Sequence, residues 1–300
     1  MSSADLAASS PKTDAPLDIA RVLLRGIGQV MFQGHAGTGT LFLIGIAVAS
    51  PLMGVGAAIG AVVGPLVARL LKFDREEIVD GIYGFNATLV GIALVFYLRP
   101  VPWTWGLVLV GCAASSPVTY LMRRYLKFPT YTSPFIVVTW LLLILVHEIA
   151  GTTLDVPPAP PEHTPVGFLN EVFRGAAEVM FGANIVTGIL FIVGIALSNW
   201  RHATLALLGS LIGTAVAVYH DDPIESISIG IYGYNAALAA IAIFIWRPSL
   251  LIPALAAVVS VPLTEFFPRM LGIPPLTAPF VAASWIILAV GVLESAFVKN

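Results

Sequence analysis

Long apolar runs separated by short polar breaks dominate this chain. They lie near residues 38–50, 52–71, 82–98, 103–121 and 133–148, and again near 187–199, 202–219, 228–246, 249–266 and 278–296. Most approach the ~20 residues that a helix needs to cross the hydrocarbon of a bilayer, so they predict membrane-spanning helices. The first run of each series is short and needs the Gly-rich residues before it to reach across. A shorter segment precedes each series, near 20–33 and 168–182, and carries Arg with Gln or Glu. These two are too short and too polar to span. They predict half-membrane, re-entrant helices, which are allowed only where protein or a water-filled cavity shields the backbone.

The two series are copies of one unit. RGIGQVMF at 25–32 returns as RGAAEVMF at 174–181, and GIYGFNATL at 81–89 returns as GIYGYNAAL at 230–238, both at an offset of 149. Residues 25–49 and 174–198 share 12 identities in 25 positions. TSPF at 132–135 and TAPF at 277–280 follow at an offset of 145, with Trp140 and Trp285 in step. Ordered matches at nearly constant spacing mark an internal duplication. The expected organisation is a disordered cytosolic tail (1–19), a first half (20–150), a Pro-rich linker (151–167) and a second half (168–300).

Five spans per half is an odd number, so the halves are expected upside down relative to one another. With the N-terminus inside, the inner side collects Lys12, Arg21, Arg25, Arg69, Lys72, Arg75, Arg123, Arg124, Lys127, Arg201, Arg247 and Lys299, and the outer side only Arg99, Arg174 and Arg269. That is a clear positive-inside bias. The predicted fold class is therefore an all-α integral membrane protein of two inverted homologous halves. Each half has five transmembrane helices plus one half-membrane re-entrant pore helix, and both termini are cytosolic. Inverted repeats place a solute path at the pseudo-twofold axis near the midplane.

Composition agrees. Hydrophobic residues make up 58% and charged residues 11% of the 300 positions, against roughly 25% charged in an ordinary soluble domain. A net charge of −2 excludes nucleic-acid binding driven by phosphate contacts. The single cysteine, Cys112, excludes a disulfide framework and any multi-Cys metal site. Residues 1–19 are polar, with no cationic start leading into an apolar core, so no cleavable signal peptide is expected.

Polar groups inside hydrocarbon cost roughly 2.5–3.5 kcal/mol for a central charge on insertion scales, so each needs a reason. Gln29 and Glu178 occupy equivalent positions of the two half-helices. Either they face the path from both sides of the axis, or each caps a neighbouring helix or bonds a Trp indole. A helix also ends with four carbonyls lacking intrahelical partners. If the half-helices end near the midplane, carbonyls around Val30, Met31 and Phe32, and around Val179, Met180 and Phe181, face the same path. Such a row of acceptors without a fixed cation suits a neutral molecule rich in N–H groups and suits an anion badly. Phe85 with Leu89, and Tyr234 with Leu238, are i, i+4 pairs on one helix face, and helix packing is the competing use of such pairs. Asn86-Ala87-Thr88 matches a glycosylation sequon, but its place within a span argues against that use. Thr132 and Thr277 sit where a helix begins, as N-caps or as hydroxyls facing the path. Arg25 and Arg174 read as surface or carboxylate-paired residues.

RGIGQVMF, EVMF, GIYGFNATL, GIYGYNAAL and the TSPF/TAPF pair resemble the bacterial and animal urea transporter family, from about Leu17 to Phe297. The resemblance implies a homotrimer in the lipid bilayer of a cell (inner or plasma) membrane. Each protomer is then a narrow channel for urea, without a cofactor and without enzymatic activity. It implies that Gln29 and Glu178 are the side chains of an oxygen ladder, and that Val30, Phe32, Val179 and Phe181 shape the slot. Phe85 with Leu89 and Tyr234 with Leu238 then sandwich the solute, and Thr132 and Thr277 are the central threonines. The family has Phe where this chain has Tyr234, so an extra hydroxyl stands at one end of the slot.

Three other classes fit less well. An ammonia channel favours paired intramembrane histidines, whereas His35, His147, His163, His202 and His220 have no pairing spacing. An ion-coupled transporter needs carboxylates in broken helices, and only Glu178 qualifies. A membrane enzyme needs a nucleophile with its base or a metal-ligand spacing, and neither is present in the sequence.

Overall fold

The computed structural model describes residues 18–150, 165–271 and 273–298. The tail (1–19, all but its last two residues) and most of the linker (151–167) lie outside the described residues. Fourteen helices are present among the described residues, in two series of seven. The first series is α1 (Ile19–Gln29), α2 (Ala36–Ala49), α3 (Pro51–Leu70), α4 (Arg75–Val79), α5 (Ile82–Tyr97), α6 (Pro102–Tyr125) and α7 (Ser133–Ala150). The second is α8 (Pro165–Glu178), α9 (Ile185–Ser198), α10 (Trp200–Tyr219), α11 (Ile224–Ser228), α12 (Ile231–Trp246), α13 (Leu251–Leu271) and α14 (Ala278–Val298).

Four of these are both long and apolar enough to cross a membrane: α3, α6, α10 and α14. Four further apolar helices, α2, α5, α9 and α12, are shorter. The 14-residue α2 and α9 each rise about 21 Å at 1.5 Å per residue, short of the ~30 Å hydrocarbon core. The Gly-rich residues before them do not lengthen them, because His35 and Asn184 cap both helices. The His35 Nδ1 accepts from Thr38 N at 3.2 Å and the Asn184 Oδ1 from Thr187 N at 2.9 Å. Two five-residue helices, α4 and α11, were not anticipated by the apolar pattern. Asp74 starts α4 by accepting from the Glu76 and Glu77 amides.

Helices α1 and α8 stop by one shared device. Phe32 and Phe181 turn left-handed, at φ 63° and 59°. The next amides then reach back to the final turn, Gln33 N to Gly28 O at 3.0 Å and Gly182 N to Ala177 O at 3.1 Å. This closure usually has Gly at the left-handed residue, and a bulky side chain there costs of order 1–3 kcal/mol unless its surroundings hold it. Tyr131 (φ 47°) and Leu276 (φ 49°), before α7 and α14, are also left-handed. All four lie at the candidate site.

Helices α5 and α12 are the cores of the two series, buried on nearly every side. Helices α1, α3, α6 and α7 pack around α5, and α8, α10, α13 and α14 around α12. Gly81 (φ 80°) and Gly230 (φ 89°) open these helices at contact with α1 and α8. A Cβ at Gly81 would stand 2.5 Å from Gly26 N, and one at Gly230 2.5 Å from Gly175 N. Only glycine serves there, for backbone conformation and for space alike. Outward faces carry exposed Leu66, Leu70, Leu109, Val110, Leu141 and Val290, an apolar exterior that water would not tolerate over such an extent.

Contacts between the series come in reciprocal pairs. Thr38 Oγ1 donates to Gly194 O at 2.6 Å, and Thr187 Oγ1 to Gly45 O at 2.8 Å. Trp140 Nε1 donates to Pro274 O, and Trp285 Nε1 to Pro129 O, both at 2.8 Å. Phe42 meets its own counterpart Phe191 at 4.8 Å between ring centroids. Residue i touching j′ while i′ touches j is the signature of a local twofold relation.

Candidate functional site

The C-terminal ends of α1 and α8 lie beside the N-termini of α7 and α14, with Phe32 against Phe280 and Phe181 in one cavity lining with Phe135 and Thr277. Their positions depend on two buried asparagines. The amide N–H groups of a helix's first turn lack intrahelical partners. Asn86 Oδ1, on α5, accepts the Phe135 amide at 3.2 Å, and Asn235 Oδ1, on α12, accepts the Phe280 amide at 3.1 Å. The asparagine amides donate onward to Thr119 Oγ1 (3.3 Å) and Thr264 Oγ1 (3.4 Å). Asn86 is thus a fully buried bracket that holds the start of α7, and Asn235 does the same for α14. The repeated Asn of GIYGFNATL and GIYGYNAAL was the available signal for this role.

The bracketing carries Thr132 and Thr277 together. Their hydroxyls hydrogen-bond each other at 2.7 Å and both residues are buried. The hydroxyls therefore face one another across the two series.

On the second-series side of this pair lies a cavity of about 60 Å³. It is lined by Glu178, Val179, Phe181, Tyr234 and Thr277, with Tyr97, Phe135, Ile231, Pro275 and Leu276. A water needs only about 10–15 Å³ of such space, so a molecule of a few heavy atoms fits. Glu178 ends α8, and its Oε2 is buried with no hydrogen-bond partner. No cationic side chain is among the lining residues. Phe181 packs on Phe96 (4.8 Å) and edge-on against Tyr97 (5.7 Å). The Tyr234 hydroxyl donates to the Leu276 carbonyl, so it is committed to the left-handed turn before α14. Five of the residues expected from the sequence line this cavity, whereas Leu238, fully buried on α12, is not among its lining.

The first-series side is arranged differently. Phe32 meets Tyr131 at 5.9 Å and Phe280 at 6.1 Å. Each side is therefore closed by the opposite series' phenylalanine: Phe280 stands against Phe32, and Phe135 lines the cavity beside Phe181. Gln29 ends α1 and donates its Nε2 to Asp80 O at 2.9 Å, which leaves its side-chain oxygen as the acceptor. Val30 and Leu89 are buried and Phe85 is half-buried. The expected row of free carbonyls is interrupted at Met31, whose oxygen accepts from Gln33 Nε2 at 2.7 Å, and Gln33 also reaches His202 Nδ1 at 3.0 Å. Gln33 corresponds to Gly182, so the second series has no such plug. Arg25 Nη1 donates to Val79 O (3.4 Å) and lies 3.9 Å from Asp80, and Arg174 Nη1 donates to Ser228 O (2.9 Å). Arg25 ties α1 to the segment before α5, and Arg174 ties α8 to the segment before α12.

Sequence reasoning missed Tyr97, Phe135 and Tyr131. Tyr97 closes an apolar run and has Trp246 at its repeat position, so it carried no repeated motif.

The sequence profile described as urea transporter matches residues 20–292. Among curated relatives, urea transporter 1 of Ovis aries is 29% identical over 291 residues, covering 89% of this chain and 75% of the relative. Urea transporter 1 of Capra hircus matches to the same extent. Urea transporter 1 of Mus musculus is 30% identical over 237 residues, covering 74% of this chain and 62% of the relative.

Proposed function

The chain belongs to the urea transporter family, and from that premise we propose that it is a multi-pass membrane protein conducting urea down its gradient. The observation that carries the reading is the small cavity in which the unpartnered oxygen of Glu178 faces aromatic and aliphatic walls without a cation. Urea is flat and neutral, with four N–H donors and one carbonyl acceptor. A slot with apolar walls and an edge of oxygens replaces its lost hydration, as carbonyls do in channel filters.

In this reading Glu178 and Gln29 supply acceptor oxygens at the two mouths, with Val30 and Val179 beside them. Phe32, Phe85 with Leu89, Phe181, and Tyr234 with Leu238 form the walls. Thr132 and Thr277 form the waist. The halves run in opposite directions through the membrane, which the reciprocal contacts and the odd number of apolar runs per half support. The protein is a transport protein rather than an enzyme, a homotrimer with one path per protomer, in a cell membrane with both termini cytosolic.

Stopped-flow light scattering on proteoliposomes tests this. Fast urea flux is expected with proton and sodium gradients collapsed, and slower flux of thiourea and acetamide. Flux that disappears with the ion gradients would overturn passive conduction.

A further inference from the structure

The end of α10 carries a side-chain cluster that its counterpart at the end of α3 lacks. His220, Asp222 and Glu265 place one ligand atom each within 4.8 Å of one another. His220 Nδ1 lies 3.2 Å from Glu265 Oε1; the Asp222 carboxyl is hydrogen-bonded with Tyr232 and stands against Glu265, and its Oδ2 is buried without a hydrogen-bond partner. A left-handed Asp221 (φ 58°) converges them, with Asp222 N closing on Ala217 O at 3.0 Å.

The duplicated chain supplies its own control. Lys72 (φ 57°) makes the same turn after α3, and Phe73 N closes on Ala68 O at 3.0 Å. At offset 149 the positions of His220 and Asp222 hold Leu71 and Phe73, and at offset 145, the spacing of Thr264 and Thr119, the position of Glu265 holds Tyr120. There Phe73 stacks on Tyr120 at 4.3 Å and meets Tyr83 at 5.2 Å. One backbone frame is thus filled by an apolar stack in the first series. In the second series an imidazole and two carboxylates fill it, while Tyr83 and its counterpart Tyr232 are the same residue type.

Two carboxylates beside a helix C-terminus, whose dipole is also negative, are costly when one oxygen is buried and unpartnered. A cation removes that cost. An imidazole nitrogen with carboxylate oxygens suits Zn²⁺ and similar transition ions, whereas Ca²⁺ and Mg²⁺ take oxygen ligands alone. Donors held 2.0–2.2 Å from Zn²⁺ lie within about 4.2 Å of each other, a small side-chain movement from the observed spacing. We propose that His220, Asp222 and Glu265 form a binding site for a divalent transition-metal ion. The ion ties the α10–α11 loop to α13 beside Tyr232 of α12, outside the solute path.

Calorimetric titration of the detergent-solubilised full chain with ZnCl₂ tests the assignment, together with thermal unfolding in ZnCl₂ and in EDTA. One saturable site per chain and a higher Tm with Zn²⁺ are expected. The triple variant His220→Leu, Asp222→Phe, Glu265→Tyr, which installs the first-series residues, should lose both. Should it fail to fold, His220→Gln and Glu265→Gln singly should each weaken binding at least tenfold while still unfolding cooperatively in EDTA. Absence of saturable Zn²⁺ binding, or binding that these variants leave unchanged, overturns the site. Ca²⁺ bound as tightly as Zn²⁺, with His220→Gln indifferent, overturns the transition-metal assignment.

Discussion

The hydroxyls of Thr132 and Thr277, 145 residues apart in the chain, meet at 2.7 Å where the two helical series touch. Each hydroxyl has one donor and two acceptor sites, so the pair uses one proton internally and keeps one donor free. The reciprocal indole bonds, Trp140 to Pro274 and Trp285 to Pro129, brace the helices and turns that carry the pair.

The pair is expected to matter for flux more than for folding. Thr132→Val together with Thr277→Val keeps side-chain shape and removes both partners at once, which leaves no orphaned hydroxyl. Urea flux should fall about tenfold, the scale of a lost hydrogen bond worth about 1–3 kcal/mol. Proteoliposome flux, with size-exclusion chromatography as the assembly control, checks this. A double variant that conducts like the parent would remove the threonines from the path.

Tyr234→Phe should act on stability and leave selectivity alone. The hydroxyl is spent on the Leu276 carbonyl, in a left-handed turn (φ 49°) that a leucine adopts only under constraint. Its loss leaves a buried acceptor unmet and should cost about 1–3 kcal/mol, read as a lower Tm. The urea-to-thiourea flux ratio should match the parent, and a changed ratio would place that hydroxyl in the slot.

The helices were legible because burial against protein or lipid writes itself into apolar runs. The run at 82–98 is helix Ile82–Tyr97 and the run at 38–50 is helix Ala36–Ala49. The short α4 and α11 were hidden because a five-residue helix in a polar connection has no periodicity, although Asp74 before Glu76 and Glu77 was a capping signal. The site was legible where both copies kept a motif, as in Thr132 and Thr277. It was illegible where the copies diverge: Gln33 plugs the Met31 carbonyl but corresponds to Gly182 in the repeat, and Tyr97 corresponds to Trp246. Which indole would reach which proline carbonyl is a tertiary pairing with no local signature.

Bulk at the expected walls should block conduction. Leu89 and Leu238 are completely buried, and Trp at either position adds volume to packed surroundings at a cost of about 1–3 kcal/mol. Leu89→Trp and Leu238→Trp should assemble with a lower Tm and lose most urea flux. Two assembled variants with parental flux would show that these leucines serve packing alone.

Asp222 should make stability depend on pH when metal is removed. Its carboxyl is held above the usual Asp range, first by burial and then by the neighbouring Glu265 carboxylate. Because the folded state favours the protonated form, this group's contribution is present below its unfolded pKa and is lost as pH rises through the folded value. In EDTA, Asp222→Asn should exceed the parent's Tm at pH 7 and lose the advantage at pH 3.5. A variant less stable than the parent at pH 7 would contradict the repulsion.

Glu178 is expected to accept hydrogen bonds from the solute and not to carry protons. Its Oε2 has no partner, and no cation lines its cavity. At the equivalent end of α1 an amide stands in its place, with the Gln29 nitrogen spent on Asp80 O and its oxygen left to accept. One acceptor oxygen is therefore what the two ends share. Glu178→Gln retains such an oxygen and should keep substantial urea flux. Glu178→Leu removes it from a site that water reaches poorly, and the unmade bond, about 1–3 kcal/mol, should slow flux roughly tenfold or more. Measuring both variants as assembled protein between pH 5 and 8 separates the two roles. Equal losses in the Gln and Leu variants, with a parental rate that titrates across that range, would mean that Glu178 moves protons.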